Sequence, residues 1–456
     1  MGQMPKIKKQ TLTQEERLAQ ALVPESEQPY VLLGNWVWVR GSTCLKPMTT
    51  KKPKGDVFYY IDIDAIDNEN QTVKSPKEMP VSKAPSRASR EVKEGDTLFS
   101  MVRPYLKNIA YIDSGLANCI ASTGFFVCRP SDSINGEYLY FLMISGYVVE
   151  GLNDFMKGDN SPSIRQENIF NFAFPLPPLA EQQRIVTNIK SLFTKLDHAK
   201  EMTKSALDSF EDRKAAILHK AFTGEFTAKW REKNGFGLDS WKEQKLDDVC
   251  VSIYDGDHMP PPKSEIGVPF LVISNINQGY VSFQKTRFVP EEYYKNLSET
   301  RTPQVSDILY SVTGSFGIPA LIETDEPFCF QRHIALLRPD KAKLNSKCFW
   351  YILQTQEVFN QADSIATGTA QRTVPIKGLR KISFRFPALP EQEEIVRILD
   401  SLLTKEQKAR QLAEDTIEKI DLMKKTILAR AFRGELGTND PSEESALGLL
   451  RESFGK

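Results

Sequence analysis

The chain has 456 residues with 59 basic and 59 acidic side chains, a formal net charge of zero, so it is long enough for several domains and is no nonspecific polycation. No run of about 18 apolar residues predicts a membrane span. Cys44, Cys119, Cys128, Cys250, Cys329 and Cys348 are scattered without a CxxC pair, which argues against a zinc site or disulfide framework and fits a reducing cytoplasm.

In chain order, 1–29 is an N-terminal arm. Lys6, Lys8 and Lys9 are followed by polar text with no apolar core, so it is not a secretory signal. Residues 30–173 mix β-like runs at 57–63, 97–102 and 124–128 with a helical patch at 137–145, and Asn135-Gly136 is a turn signal. The segment 174–235 opens with Pro175, Pro177 and Pro178. It then runs free of proline and glycine from about Ala180 to Phe222, with Gly224 as a stop. Apolar residues there step by three and four at Ile185, Ile189, Leu192, Leu196, Ala199, Ala206, Phe210, Ile217 and Ala221. That spacing predicts a coiled-coil helix, about 60 Å long at 1.5 Å per residue.

Residues 236–383 repeat the mixed character. β-like runs fall at 269–273, 308–312 and 334–337, a helical patch at 346–356, and a turn signal at Asp255-Gly256. The segment 384–437 brings Pro387 and Pro390, a second long helix from about Glu391 to Phe432, and Gly434. Its stripe is Ile395, Leu399, Leu402, Ala409, Ala413, Ile420, Met423, Ile427 and Ala431. A tail, 438–456, ends the chain.

The chain repeats itself. Residues 174–227 align with 384–437 at an offset of 210 without a gap, and 19 of 54 positions are identical. Upstream, 94–100 resembles 305–311, 126–130 resembles 335–339, 138–142 resembles 349–353 and 158–164 resembles 368–374. The expected fold is therefore two tandem α+β domains, separated and followed by long helices. The two helices either pair with each other, most simply as an antiparallel coiled coil with a pseudo-two-fold, or pack on their own domains.

No enzyme motif is present. There is no P-loop, dinucleotide fingerprint, HExxH or methyltransferase Pro-Pro-aromatic signature, so no catalytic residue and no metal site is expected. His258, after Asp255-Gly256-Asp257, has no second histidine at ligand spacing, and Glu91-Val92-Lys93 lacks the upstream acid of a nuclease. His333 is either a base-contacting loop residue or a buried histidine. Two stretches, 40–55 and 363–386, are locally basic, each either a solvated face or part of a polyanion site.

The motifs FPLPPLAEQQRIV (174–186) and FPALPEQEEIV (386–396) recur with their exits AILHKAFTGE (216–225) and TILARAFRGE (426–435). With EGDTLFS (94–100) and DGDHMPP (255–261), they resemble the specificity subunit of type I restriction–modification systems. The resemblance implies two target recognition domains, each reading half of a bipartite, asymmetric DNA site. It implies a coiled coil through Ile185, Ile189, Leu192, Leu196, Phe210, Ile217, Ile395, Leu399, Leu402, Ile420 and Ile427 that sets the spacing and docks two modification subunits. Motor–nuclease subunits complete the complex. S-adenosylmethionine, ATP and magnesium belong to those partners, and this chain is non-catalytic. DNA-contact candidates are polar or basic residues in loops that correspond between halves: Arg103, Lys107, Lys157, Asn160, Ser161 and Arg165, then Thr313, Ser315, Arg332, His333, Thr369, Gln371 and Arg372.

Overall fold

The computed structural model describes residues 13–258, 261–436 and 439–455. Lys6, Lys8 and Lys9 of the arm, Met259 and Pro260 of the DGDHMPP loop, and the first residue of the tail lie outside them. The chain divides into two compact units, Met1–Thr203 with Thr416–Lys456, and Lys204–Asp415.

Each unit contains an α+β domain closed by its own ends. In the first, the entering strand Val37–Arg40 pairs antiparallel with the leaving strand Ala173–Leu176. In the second, Lys242–Lys245 pairs with Ser383–Phe386. Between these ends lie two sheets. One has the order Leu45–Lys46, Phe125–Pro130, Thr97–Ser100, Ile109–Tyr111, repeated as Cys250–Asp255, Ile334–Pro339, Ile308–Ser311, Pro319–Leu321. The other places Val57–Ile61 between antiparallel Lys77–Pro80 and parallel Ile120–Ser122, and Val268–Leu271 between Arg287–Val289 and Cys329–Phe330. Strands and helices pack apolar side chains inward, Phe99, Phe126 and the helical Leu142 in one domain and Ile308, Leu337 and the helical Phe349 in the other.

Asn135-Gly136 is not a turn. Asn135 caps the helix Gly136–Ile144, its Oδ1 accepting the Glu137 and Tyr138 N–H groups at 2.9 and 3.1 Å. A side-chain oxygen that satisfies free N–H groups of a first turn makes asparagine a cap as readily as a turn residue. Asn345 does the same for Ser346–Ile352.

The long helices are α1, Leu179–Asp208, α2, Phe210–Phe222, and α3, Leu389–Phe432. The single helix expected over 180–222 is thus interrupted at Ser209. Its hydroxyl donates to the Ala206 carbonyl at 2.7 Å, a local bond that competes with the helical ladder. Both long stretches end in the same motif. Gly224 and Gly434 are left-handed, at φ of 79° and 75°, and the next N–H reaches back to Lys220 O at 3.0 Å and Arg430 O at 2.9 Å.

Within each unit the long helices pair antiparallel as a coiled coil. In the first, Asp197 takes Lys424 and Lys200 takes Asp421. In the second, Glu211 takes Arg410 and Arg213 takes Glu406. Ile185 and Ile189 are buried with Leu428 and Ala431, and Leu218 and Ala221 with Ile395 and Leu399. Full burial of one such side chain contributes about 1.5–3 kcal/mol. Phe210 and Ile420 are buried, while Leu192, Leu196, Ile217, Leu402 and Ile427 are half-buried. Ala206, Ala409 and Met423, assigned to the stripe by spacing, are exposed. Near Ala206 and Ala409 the seam is held by the ion pairs of Arg213 and Arg410, so small side chains there face out.

The arm and tail pack together in the first unit. Thr13 caps the helix Gln14–Ala21, and Gln14 Nε2 donates to Arg451 O at 2.7 Å in the helix Ala446–Gly455. Among the described residues, no helix is long and apolar enough to cross a membrane.

Candidate nucleic-acid interface

Three loops meet at one edge of each domain, joined by the same backbone bonds. In the first unit Met101 N–H donates to Gly124 O at 3.1 Å, Ile164 N–H to Met101 O at 2.9 Å, and Arg103 N–H to Pro162 O at 2.8 Å. In the second, Val312 N–H donates to His333 O at 2.9 Å, Val374 N–H to Val312 O at 2.8 Å, and Gly314 N–H to Arg372 O at 2.8 Å. The third loop folds back on itself in both. Lys157 and Ser163 exchange two bonds of 3.0 Å, and Thr367 and Thr373 two of 2.8 Å. Gly158 and Gly368, at φ of 103° and 100°, make that tight return possible.

This edge gathers the sequence candidates. In the first unit Lys157, Asn160, Ser161 and Arg165 are exposed, and Arg103 reaches across to Asn160 O at 2.8 Å. Lys107 is half-buried, and burial, then the field of Lys425, hold its amine below the usual lysine range. In the second unit Ser315, Thr369, Gln371 and Arg332 are exposed. Arg372 is exposed too, but its guanidinium is engaged by Asp363 and lies 5.4 Å from the Phe316 ring centre. His333 is half-buried, with its pKa lowered by burial and then by Arg332. Thr313 departs from expectation. It is 4% exposed, and its hydroxyl accepts from Thr373 at 3.3 Å, so it braces the edge instead of facing outward.

Two features escaped the sequence reading. Thr123 and Gly124 occupy the place of Arg332 and His333, as the offset of 209 between 126–130 and 335–339 already implied. Tyr105 and Leu106 are exposed at the tip of the first loop, between Arg103 and Lys107, both left-handed at φ of 49° and 56°. The second unit uses Gly314 and Gly317 at the matching bends. Non-glycine residues there cost about 1–2 kcal/mol each, so the first unit keeps two cations at a conformational cost.

Behind the edge each domain has the same ion pair on a buried aspartate. Arg129 meets Asp96 at 2.8 Å and Arg338 meets Asp307 at 2.9 Å. Both tie the strand that leads into the first loop to the strand that leaves the second. Among the described residues no group of His, Cys, Asp and Glu is placed to hold a metal ion.

The model of the type I restriction modification DNA specificity domain matches residues 47–206 and again 239–417. The chain is 24% identical over 325 residues to the specificity subunit of the type I restriction enzyme EcoKI from Escherichia coli (strain K12), covering 68% of each. It is 24% identical over 276 residues to the MjaVIII specificity subunit of Methanocaldococcus jannaschii, covering 58% of this chain and 64% of that one. Among solved structures, a chain from work on complex assembly and conformational transition of the type I R-M system matches with a TM-score of 0.74 at 27% identity. The HsdS subunit from Thermoanaerobacter tengcongensis matches with 0.63 at 28%. Each covers 90% of this chain and is itself covered in full, at 100%. With the domain matched twice over most of its length, the chain belongs to the family of type I restriction modification DNA specificity domains and is a non-catalytic specificity subunit.

Proposed function

We propose that each three-loop edge reads one half of a bipartite, asymmetric DNA site. The observation that carries this is one backbone frame built twice with different side chains: Arg103, Lys107, Lys157, Asn160, Ser161 and Arg165 on one, and Ser315, Arg332, His333, Thr369, Gln371 and Arg372 on the other. A constant frame fixes where side chains meet a duplex, and different side chains select different bases. Two unlike edges in one chain favour an asymmetric site, where two identical ones would favour a palindrome. Thr313 supports the frame from below.

The paired helices set the spacing between the half-sites and dock two modification subunits, and motor–nuclease subunits join them. The complex then methylates adenine N6 with S-adenosylmethionine, or restricts unmodified DNA with ATP and magnesium. Those cofactors lie in the partners, and the assembly works in the cytoplasm. The test is single-molecule methylome sequencing of a methylation-free host that expresses the chain with its modification subunit. N6-methyladenine at one bipartite, asymmetric motif, dependent on this chain, is the expected result. A formed complex that leaves the genome unmethylated would count against the reading.

A further inference from the structure

The two domains differ at one sheet edge. In the first unit, Ile120–Ser122 carries an additional strand, Ala88–Glu91, with Ser122 opposite Ala88. In the second, the corresponding strand Cys329–Phe330 has no such neighbour among the described residues, and the next residue, Gln331, bridges to Asp257. A side chain at Gly256 would strike Phe330 O at 2.3 Å, so that acidic segment is pressed against the strand end. Asp255 and Asp257 each lie 3.9 Å from Arg301, and Asp255 also meets His258 at 3.0 Å. The second unit therefore closes this edge with an acidic segment that faces Arg301.

The first unit does the opposite. The strings 50–55 and 83–90 hold Lys51, Lys52, Lys54, Lys83, Arg87 and Arg90 and no carboxylate. The fold brings them together: Thr50 bridges Arg90, and Lys51 N–H donates to Ser89 O at 3.0 Å. The lysines and Arg87 are exposed, and none of them forms an ion pair among the described residues. Arg90 Nε is buried without a hydrogen-bond partner. The neighbouring carboxylate, Glu91, is already engaged by Thr49 and faces Arg129 at 3.8 Å. This cationic edge is continuous with the three loops, because Thr123 N–H donates to Arg87 O at 2.9 Å and Gly124 O accepts from Met101.

Gathered like charges repel, a cost that a bound polyanion would relieve. We infer that this edge of the first unit is a phosphate-holding ridge, absent from the second, which grips the duplex backbone beside the half-site that the first unit reads. The inference rests on the DNA-recognition reading above. A duplex suits it because phosphates recur along both strands at about one charge per 1.7 Å. Cations on such a backbone contribute affinity and salt dependence without selecting bases.

The experiment uses the complex with modification subunits, carrying Lys51→Gln, Lys52→Gln and Arg87→Gln together, titrated with site-containing duplexes at several salt concentrations. The slope of log affinity against log salt should flatten by about 2–3, since each lost phosphate contact removes about 0.9. The methylated motif should stay the same. With Arg87 kept, Lys51→Arg and Lys52→Arg together should leave the wild-type slope in place, which separates charge from folding. Duplexes cut short beyond the first half-site should erase the difference between wild type and variant, and those cut short beyond the second should preserve it. An unchanged slope, or a changed motif, would overturn the ridge. If the wild-type complex binds no duplex at all, the functional reading itself fails, an outcome visible before any variant is made.

Discussion

Gln182 Oε1 accepts the backbone N–H of Asn135 at 2.7 Å, and Gln392 does the same for Asn345 at 2.8 Å. Each amide then donates twice. Gln182 Nε2 reaches Pro177 O at 2.9 Å and Ser133 O at 3.1 Å; Gln392 Nε2 reaches Pro387 O at 2.8 Å and Lys343 O at 2.9 Å. Both side chains are fully buried. One residue thus locks the start of each long helix to the capped helix of its domain.

Gln182→Ala and Gln392→Ala should each destabilise their own unit by about 2–3 kcal/mol, because three buried partners lose their bonds at once. Urea unfolding should show the midpoint falling for the affected unit. Gln→Glu should be nearly as damaging, since a carboxylate cannot donate to the two carbonyls. A neutral effect of either change would remove the locking role.

Lys107→Gly should act in opposite directions on stability and binding. Glycine relieves the left-handed backbone, so thermal unfolding should move upward by the equivalent of up to about 1 kcal/mol. DNA affinity of the complex should fall. A variant that loses both stability and binding would mean that the side chain serves packing, not the duplex.

His333 gives a pH signature. Its folded pKa lies below the ordinary 6.5, through burial and then Arg332. Below pH 6.5 the unfolded chain therefore binds the proton more readily than the folded one. Stability is lost as pH falls from 6.5 through the folded value. An NMR titration of the imidazole should have its midpoint below 6.5. Arg332→Ala should raise that midpoint part of the way, leaving the contribution of burial. A midpoint at or above 6.5 in the wild type would exclude the arrangement.

The tandem architecture was legible because the anchors must repeat. Pro177, Glu181, Gln182 and their copies Pro387, Glu391 and Gln392 perform one task twice, so the offset of 210 survives in the letters. The helices were legible from spacing, but not the break, since Ser209 interrupts the ladder with one hydroxyl that no periodicity reveals. The reading edge was legible as loops and not as roles. Thr313 looks like its exposed neighbour Ser315, and only the bridge to Thr373 turns it inward. The cationic edge was half legible. The excess at 40–55 was plain, yet its partners at 83–90 join it only through the bridge of Thr50 to Arg90 and the bond from Lys51 N–H to Ser89 O, contacts remote in sequence.

Glu391 separates buried from exposed charge. It is 2% exposed and sits within the second unit, where Oε1 accepts from Arg231 Nη1 and Thr227 Oγ1, both at 2.6 Å, and Oε2 from Trp241 Nε1 at 3.1 Å. Arg231 also donates to Gly224 O at 2.7 Å, the turn that ends α2. The carboxylate therefore holds the helix exit, the linker helix Ala228–Asn234 and the domain entrance together. Glu391→Ala leaves a buried guanidinium without its counter-charge and should cost about 3–5 kcal/mol. Glu211→Ala, which breaks an exposed pair with Arg410 on the same helices, should cost no more than about 1 kcal/mol. Adding Arg231→Met to Glu391→Ala should recover part of the loss, because removing both charges leaves no unpaired ion. Urea midpoints read through tryptophan fluorescence measure all three. Equal costs for Glu391→Ala and Glu211→Ala would show that the buried network does not hold the linker.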